Sequence, residues 1–386
     1  MNFFKSKLIL IAICFLALFY FSNDFGLINV EKSAIVTAIG LDKIDEELKL
    51  SVQIAIPDNA QSSGSSKSAV FSAKGATVAE TISKIGTKTG WYPKLSFCNV
   101  IVLGKSIIYD DVMKYIDYFS KSLKIQGSAL LAVADDAEEI LATATPLDNV
   151  SSFALQKIIL PTDGMETKVL SSDVKTFTIG YSSRASSSYA PYIKIKDTPQ
   201  PTSTQENSSN KKTPYVYDAT KTAIFKNGVV KGFLSEEETI AMVYIKKDQK
   251  DTLLTKNNVT IDGETAGYTI AINKSDTKVK LKTDGDKIQV FIKQKLNAKT
   301  ADESFKNKTL SDNPQLTVPK EVLSSIESSL KQGILSLVKT TFNNKVDLLG
   351  LDDKLYRFYH SEYDKLKQKL YDINAVKIDV KIMSSK

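Results

Sequence analysis

The sequence predicts an α+β fold: several domains built on mixed β-sheets flanked by helices, carried behind an N-terminal membrane anchor. Three features predict it. β-Rich stretches alternate with capped helix starts through residues 29–196, an N-terminal α+β region. A second series of the same kind fills 215–386, a C-terminal α+β domain. Between them, residues 197–214 (DTPQPTSTQENSSNKKTP) are polar, with three prolines and no large apolar side chain, which is the composition of a linker. At 386 residues, 42% hydrophobic and 25% charged, the chain is long enough for two or three domains and apolar enough to bury their cores.

The anchor is assigned to residues 1–28. Lys5 and Lys7 precede an uncharged apolar run at 8–21, LILIAICFLALFYF. A basic flank followed by about a dozen apolar residues marks a secretory signal or a short membrane anchor. The positive-inside rule keeps the two lysines cytoplasmic and sends the remainder outside. No pair of small residues follows the run, so the anchor reads as uncleaved. Cys14 lies inside the run behind Ile13, which is too bulky for a lipidation box.

In the first half, 34–40 (AIVTAIG) and 48–56 (LKLSVQIAI) read as strands joined by a connection at 41–47, and 57–68 as a polar loop. Residues 70–74 return as a strand. The stretch 77–87 reads as a helix, with Thr77 as N-cap and Glu80 completing a capping box. A strand at 99–103, a helix at 107–123, a buried strand at 129–134 and a helix at 135–144 capped by Asp135 follow. Beyond them come a helix at 152–159 and strands at 175–179 and 192–196. In the second half, Asn227-Gly228 is the preferred pair for a hairpin turn between strands at 215–226 and 229–233. Ser235 and Glu238 form a capping box for a helix over 234–243. Strands are expected at 268–273, 278–283 and 287–296. Asp284-Gly285-Asp286 reads as a turn, its spacing unlike a calcium loop. Residues 319–343 have sustained helical period, 351–370 read as another helix, and the alternating 375–383 (AVKIDVKIM) closes the chain as a docked strand.

The chemistry-bearing residues are sparse. The net charge is +7, but only Arg184 and Arg357 are arginines and the lysines are interleaved with acids. Nucleic-acid readers favour arginine for bidentate phosphate and guanine contacts, so no nucleic-acid partner is expected. Two cysteines, Cys14 and Cys98, and one histidine, His360, leave no multi-cysteine zinc site. There is no G-x-S-x-G elbow, Walker A loop or Rossmann glycine pattern. The pairs Asp110-Asp111, Asp135-Asp136 and Asp352-Asp353 fall at expected helix starts, where acids complement the helix dipole. The sequence therefore points to a binding or assembly protein: no enzyme, no catalytic residues, no metal and no cofactor. The candidate binding residues are Tyr356, Arg357, Tyr359 and His360, within a stretch at 348–363 that mixes aromatics with charge. The simpler reading is a helix packed by those aromatics onto its own sheet. Trp91 and the tyrosine-rich 181–192 are the alternative, a pocket for a small solute.

Several segments, in shared order, resemble the Ger(x)C family, the C subunits of bacterial spore germinant receptors. They are AIVTAIGLDK at 34–43, FSAKGAT at 71–77, NVIVLG at 99–104, TAIFKNGVVKGFL at 222–234, DLLGL at 347–351, YRFY at 356–359 and VKIDVKI at 376–382. The resemblance implies a non-enzymatic subunit that assembles with two integral membrane subunits, A and B, at the inner spore membrane and supports germinant-triggered germination. It leaves open whether this subunit binds a germinant directly. One departure stands out. The family begins its mature chain with a lipidated cysteine followed by Trp-Asp, whereas this sequence reads SNDFG at 22–26. The uncleaved apolar segment takes over the anchoring role in this reading.

Overall fold

The computed structural model describes residues 7, 11–18, 32–56, 67–121, 125–160, 168–197, 215–246, 252–261, 264–305 and 317–384. Most of the expected anchor, the loop at 57–66 and the linker at 198–214 lie outside the described residues. Residues 11–18 are helical and exposed. No helix among the described residues is long and apolar enough to cross a membrane.

The first sheet has nine strands: β1 (Ser33–Ile44), β2 (Glu47–Ile56), β3 (Lys67–Gly75), β4 (Tyr92–Lys94), β5 (Val100–Gly104), β6 (Leu130–Ala134), β7 (Ser187–Asp197), β8 (Tyr215–Lys226) and β9 (Val229–Leu234). Their order is β3-β2-β1-β5-β6-β7-β8-β9, with β4 pairing parallel to the start of β1. The strands β1, β5, β6 and β7 are mutually parallel. Every residue of β5 and β6 is buried, as expected where both faces of a parallel sheet are covered. β1 turns into β2 through Asp45 and Glu46, at φ 52° and 64°. The expected connection at 41–47 therefore shrinks to two residues, and strand pairing claims the rest.

The sheet continues past the expected linker. β7 pairs antiparallel with β8, from Asp197↔Tyr215 back to Ser187↔Lys226, and β8 pairs with β9 through Asn227-Gly228 at φ 52° and 74°. The division expected at 197–214 thus falls within one hairpin of one sheet. The reason is packing: Ala223 and Phe225 of β8 fill the core under the first sheet, and Ile224 fills the core shared with the second.

Five helices flank this sheet: α1 (Val78–Thr89), α2 (Met113–Lys121), α3 (Ala137–Ala142), α4 (Ser151–Ile159) and α5 (Val174–Ser182). The Thr77 hydroxyl accepts from Glu80 N at 3.2 Å, and Glu80 Oε2 reaches back to accept from Ala76 N, the residue before the cap, at 2.8 Å, a close variant of the expected capping box. α2 starts later than the expected 107, because Ile108 gives its carbonyl to Val230 N of the β8–β9 hairpin at 2.9 Å. The cap of α3 is Asp136, one residue beyond the expected Asp135. α5 replaces a strand expected at 175–179. Asp173 accepts from Thr176 N at 2.6 Å, and Phe177 packs edge-on against Phe225 with ring centroids 5.1 Å apart.

The second sheet is β10 (Thr252–Ile261), β11 (Glu264–Asp284), β12 (Lys287–Phe305) and β13 (Val376–Ser384), in that order, with β13 parallel to β12. Helices α6 (Glu236–Lys246) and α7 (Lys320–Asn343) pack with it. The Ser235–Glu238 capping box forms, and Glu238 does more than cap. Its carboxylate also accepts from Ser336 Oγ at 2.7 Å and Thr340 Oγ1 at 2.6 Å, tying α6 to α7. Burial pushes the Glu238 carboxyl up, but these hydrogen bonds outweigh it and hold the group below the usual range. The expected helix at 351–370 breaks into α8 (Leu351–Phe358) and α9 (Tyr363–Leu366), with single 3₁₀ turns at His360–Glu362 and Lys367–Lys369.

The end of β1 shows how sheet and helix are fixed together. Buried Asp42 accepts from Ala137 N at 3.2 Å and Glu138 N at 3.3 Å, closing the N-terminus of α3 from a neighbouring strand. A Cβ on Gly104 would overlap that carboxylate, and one on Gly40 would press on Ala137 at 3.1 Å. Burial pushes the Asp42 carboxyl from 3.8 up to about 6, against the two backbone hydrogen bonds. Between those values the folded chain holds a proton that the unfolded chain has released, so stability falls as pH rises through this window. The displacement corresponds to about 3 kcal/mol once the group is ionised. Thermal melts of the full-length protein in detergent should show Asp42→Asn flattening the loss of stability between pH 4 and pH 6. An unchanged pH slope in the variant would refute the assignment.

Candidate functional site

The described residues offer no metal centre: no group of three or more His, Cys, Asp or Glu side chains is placed to hold an ion. Cys98 is buried, and desolvation pushes its thiol up to about 12, so it stays protonated and unreactive. His360 is exposed and sits edge-on to Tyr356, with ring centroids 4.5 Å apart.

The chemistry that is present gathers where the two halves meet. After α7 ends, the DLLGL segment makes a tight turn built on Asp347. Its Oδ1 accepts from Leu349 N at 3.1 Å and its Oδ2 from Asp352 N at 2.8 Å, in the first turn of α8. Its own N–H donates to Ser187 Oγ, at the start of β7, at 3.0 Å. Gly350 stands at φ 66°, ψ 37°, a left-handed conformation natural to glycine. Leu348, Leu349 and Leu351 point into a core that also contains Leu170 from the first half and Ile224 and Leu234 from the last two strands of the first sheet. Burial raises the Asp347 carboxyl above its usual range, opposed by the N–H donors of the turn.

Above this turn lies an aromatic cluster. The Arg184 guanidinium, from the loop between α5 and β7, sits over the Tyr356 ring with Cζ 3.1 Å from the centroid, and 5.7 Å from that of Tyr363. Tyr356 also meets Tyr363 edge-on at 5.2 Å, and Tyr363 donates its hydroxyl to Asp352 Oδ1 at 2.7 Å. A planar guanidinium stacks on an aromatic face as an ammonium cannot, so one of the two arginines joins the halves.

The four residues singled out in the sequence separate here. Tyr356 and His360 share the cluster. Tyr359 turns inward and donates to the Leu281 carbonyl at 3.3 Å. Arg357 is exposed beside Phe358, which is 69% exposed. Arg184, Asp352 and Tyr363 complete the cluster. Arg184 lies far away in sequence, and arginine scarcity was its one available signal.

Among the described residues, two hollows lie away from this cluster. A groove of about 590 Å³ runs between α1 and the segment that follows it, lined by Ile82, Gly86, Trp91, Tyr92 and Tyr118 among others. Its partner in size, about 660 Å³, is lined by Lys287, Lys345, Lys369 and Lys377 with Asp286 and Asp372. The tyrosine-rich 181–192 does not line the Trp91 groove.

Comparison with known proteins places this geometry in a family. Residues 28–195 match the spore germination protein N-terminal domain, and residues 220–385 match the spore germination B3/GerAC-like C-terminal domain. The chain belongs to the Ger(x)C family. Spore germination protein KC of Bacillus subtilis (strain 168) is 23% identical over 351 residues, covering 86% of this chain and 83% of that protein. The crystal structure of the GerBC protein superposes with a TM-score of 0.51 at 16% identity, covering 90% of this chain and 97% of the other. The Ger(x)C fold of mixed sheets with flanking helices is therefore that of this chain. Ger(x)C proteins are germinant-receptor C subunits and not a known enzyme family.

The junction geometry sets an order of sensitivities. Asp347→Ala strands the N–H groups of Leu349 and Asp352 and should cost about 2 kcal/mol. Arg184→Ala removes a stack on an exposed arginine and should cost about 1 kcal/mol or less. Urea unfolding of the full-length variants checks the ranking, which an Asp347→Ala protein as stable as the parent would overturn.

Proposed function

We propose that this protein is a membrane-held, extracytoplasmic receptor subunit that assembles with integral membrane A and B subunits and holds them in a germinant-responsive state. The observation that carries the reading is the family match through both halves in order, at 28–195 and 220–385. The basic flank and apolar run at 5–21 support attachment to a membrane, which in this reading is the inner spore membrane. The interaction surface is assigned to the outer side of the junction, where Arg357, Phe358 and His360 are exposed around Tyr356. Tyr359 supports it from beneath through its bond to Leu281.

A second reading has a specific observation behind it. Trp91 and Tyr92 border a groove large enough for a small solute, which would make the protein a germinant-capturing sensor. Trp91 is the single tryptophan, so capture in that groove should shift its fluorescence when amino acids, sugars or nucleosides are added.

Crosslinking and pull-down of the tagged full-length protein from spore membranes tests the first reading. Two polytopic partners should be recovered, and Phe358→Ser combined with Arg357→Glu should lower their yield without changing the melting temperature. Recovery of the protein alone, from vegetative membranes as well as spores, would overturn the assembly and favour the sensor. Hydrolysis of a peptide, ester or glycoside by the purified chain at enzyme-like rates would overturn both.

A further inference from the structure

Trp91, Tyr92 and Phe97 are 48%, 43% and 51% exposed within one short segment. Three large rings left in water at one place mark a contact surface. They are held out by an ordered frame. Gly90 ends α1 in the left-handed conformation with its N–H on the Gly86 carbonyl at 2.9 Å, and Trp91 N donates to Thr89 Oγ1 at 3.3 Å. Pro93, Leu95 and Cys98 are buried beneath, rooting the segment in the first sheet. Lys94 Nζ lies 5.8 Å over the Phe97 ring, and Lys88 is exposed in the last turn of α1.

The position of this segment selects its partner. In β4, Tyr92, Pro93 and Lys94 pair with Ser33, Ala34 and Ile35 at the start of β1, and Ile35 is itself 38% exposed. Residues 22–32 separate that strand from the apolar run ending at Phe21. Fully extended, they reach no more than about 40 Å. Ile11, Ile13, Phe15, Leu16 and Leu18 of that run are each 60% or more exposed on a helical stretch, a surface that needs lipid around it. Aromatic rings with lysines beside them are the composition of a membrane–water interface: the rings sit at headgroup depth and the amines reach to phosphate.

We infer that the segment 91–97 is a membrane-interface contact, through which the first sheet rests its Trp91, Tyr92 and Phe97 rings in the headgroup layer of the bilayer that holds the N-terminal apolar run. The inference rests on the membrane-held reading proposed above. It gives the exposed rings beside the groove a role that requires no solute, and it fixes which end of β1, its N-terminal end, faces the lipid.

The single tryptophan makes the contact directly measurable. Full-length protein is reconstituted into phosphatidylcholine–phosphatidylglycerol vesicles, with and without bromine on the acyl chains. Flotation reports attachment, and Trp91 emission reports lipid contact. The expected result is co-flotation, a blue-shifted emission, and loss of emission in the brominated vesicles. Tyr92→Ser combined with Phe97→Ser, which keeps Trp91, should still float but lose part of the quenching. Flotation with water-like, unquenched Trp91 overturns the contact and leaves the membrane-held reading standing. A blue shift without quenching, or a shift produced by solutes and not by lipid, also overturns it, in favour of a protein or small-molecule occupant. A chain that fails to float overturns the membrane-held reading itself, and the contact with it.

Discussion

The arrangement of this molecule depends on one buried carboxylate. Asp347 takes the N–H groups of Leu349 and Asp352 on its two oxygens while its own N–H is given to Ser187 in the first sheet. A buried acid is costly unless its oxygens find donors. Here the donors are the otherwise orphaned N–H groups of a tight turn and a helix start. Chain direction after α7, entry into α8 and contact with β7 are set together. The leucines between them are then committed to a core that both halves share. Asp42 repeats the solution within the first sheet, reaching from a strand to the start of α3.

These two residues also explain why the family resemblance could be read from short segments. GLDK at 40–43 and DLLGL at 347–351 each combine an acid that must accept backbone N–H groups with a glycine answering to local geometry. Gly40 needs space against Ala137, and Gly350 stands in a left-handed conformation. The capping boxes at Thr77 and Ser235 and the Asn227-Gly228 turn were legible for the same reason: local backbone demands leave local residues. What the sequence concealed is set by distant partners. Thr176, Thr178 and Ile179 favour a strand on propensity, but Asp173 and the pocket around Phe225 make that stretch a helix. The polar, proline-bearing 197–214 has linker composition, yet β7 and β8 pair on either side of it. In the candidate site, Tyr356 and His360 were visible as neighbours. Arg184, which completes their cluster, could not be placed beside them by spacing.

A junction built in this way would suit the assembly role proposed above. The aromatic cluster, the Asp347 turn and the tie from Glu238 to Ser336 and Thr340 all spend their polar groups on holding elements in place. None presents a nucleophile beside a base. The side chains left facing outward, Phe358 and Arg357 at the junction and Trp91 and Tyr92 on the first sheet, are of the kind that supply contact area.

The β7–β8 hairpin has a consequence for how such chains diversify. The matched C-terminal domain begins at residue 220, inside β8, so this half carries with it the two outermost strands of its neighbour's sheet. A recombination event that exchanged C-terminal halves between two family members would also replace that edge and the residues packed under it. Hybrid offspring would be viable only where the parental β7 and β8 still met in register. Inheritance of the two modules is thereby coupled, and such chains would diverge more readily by substitution on the outer surfaces than by shuffling whole halves.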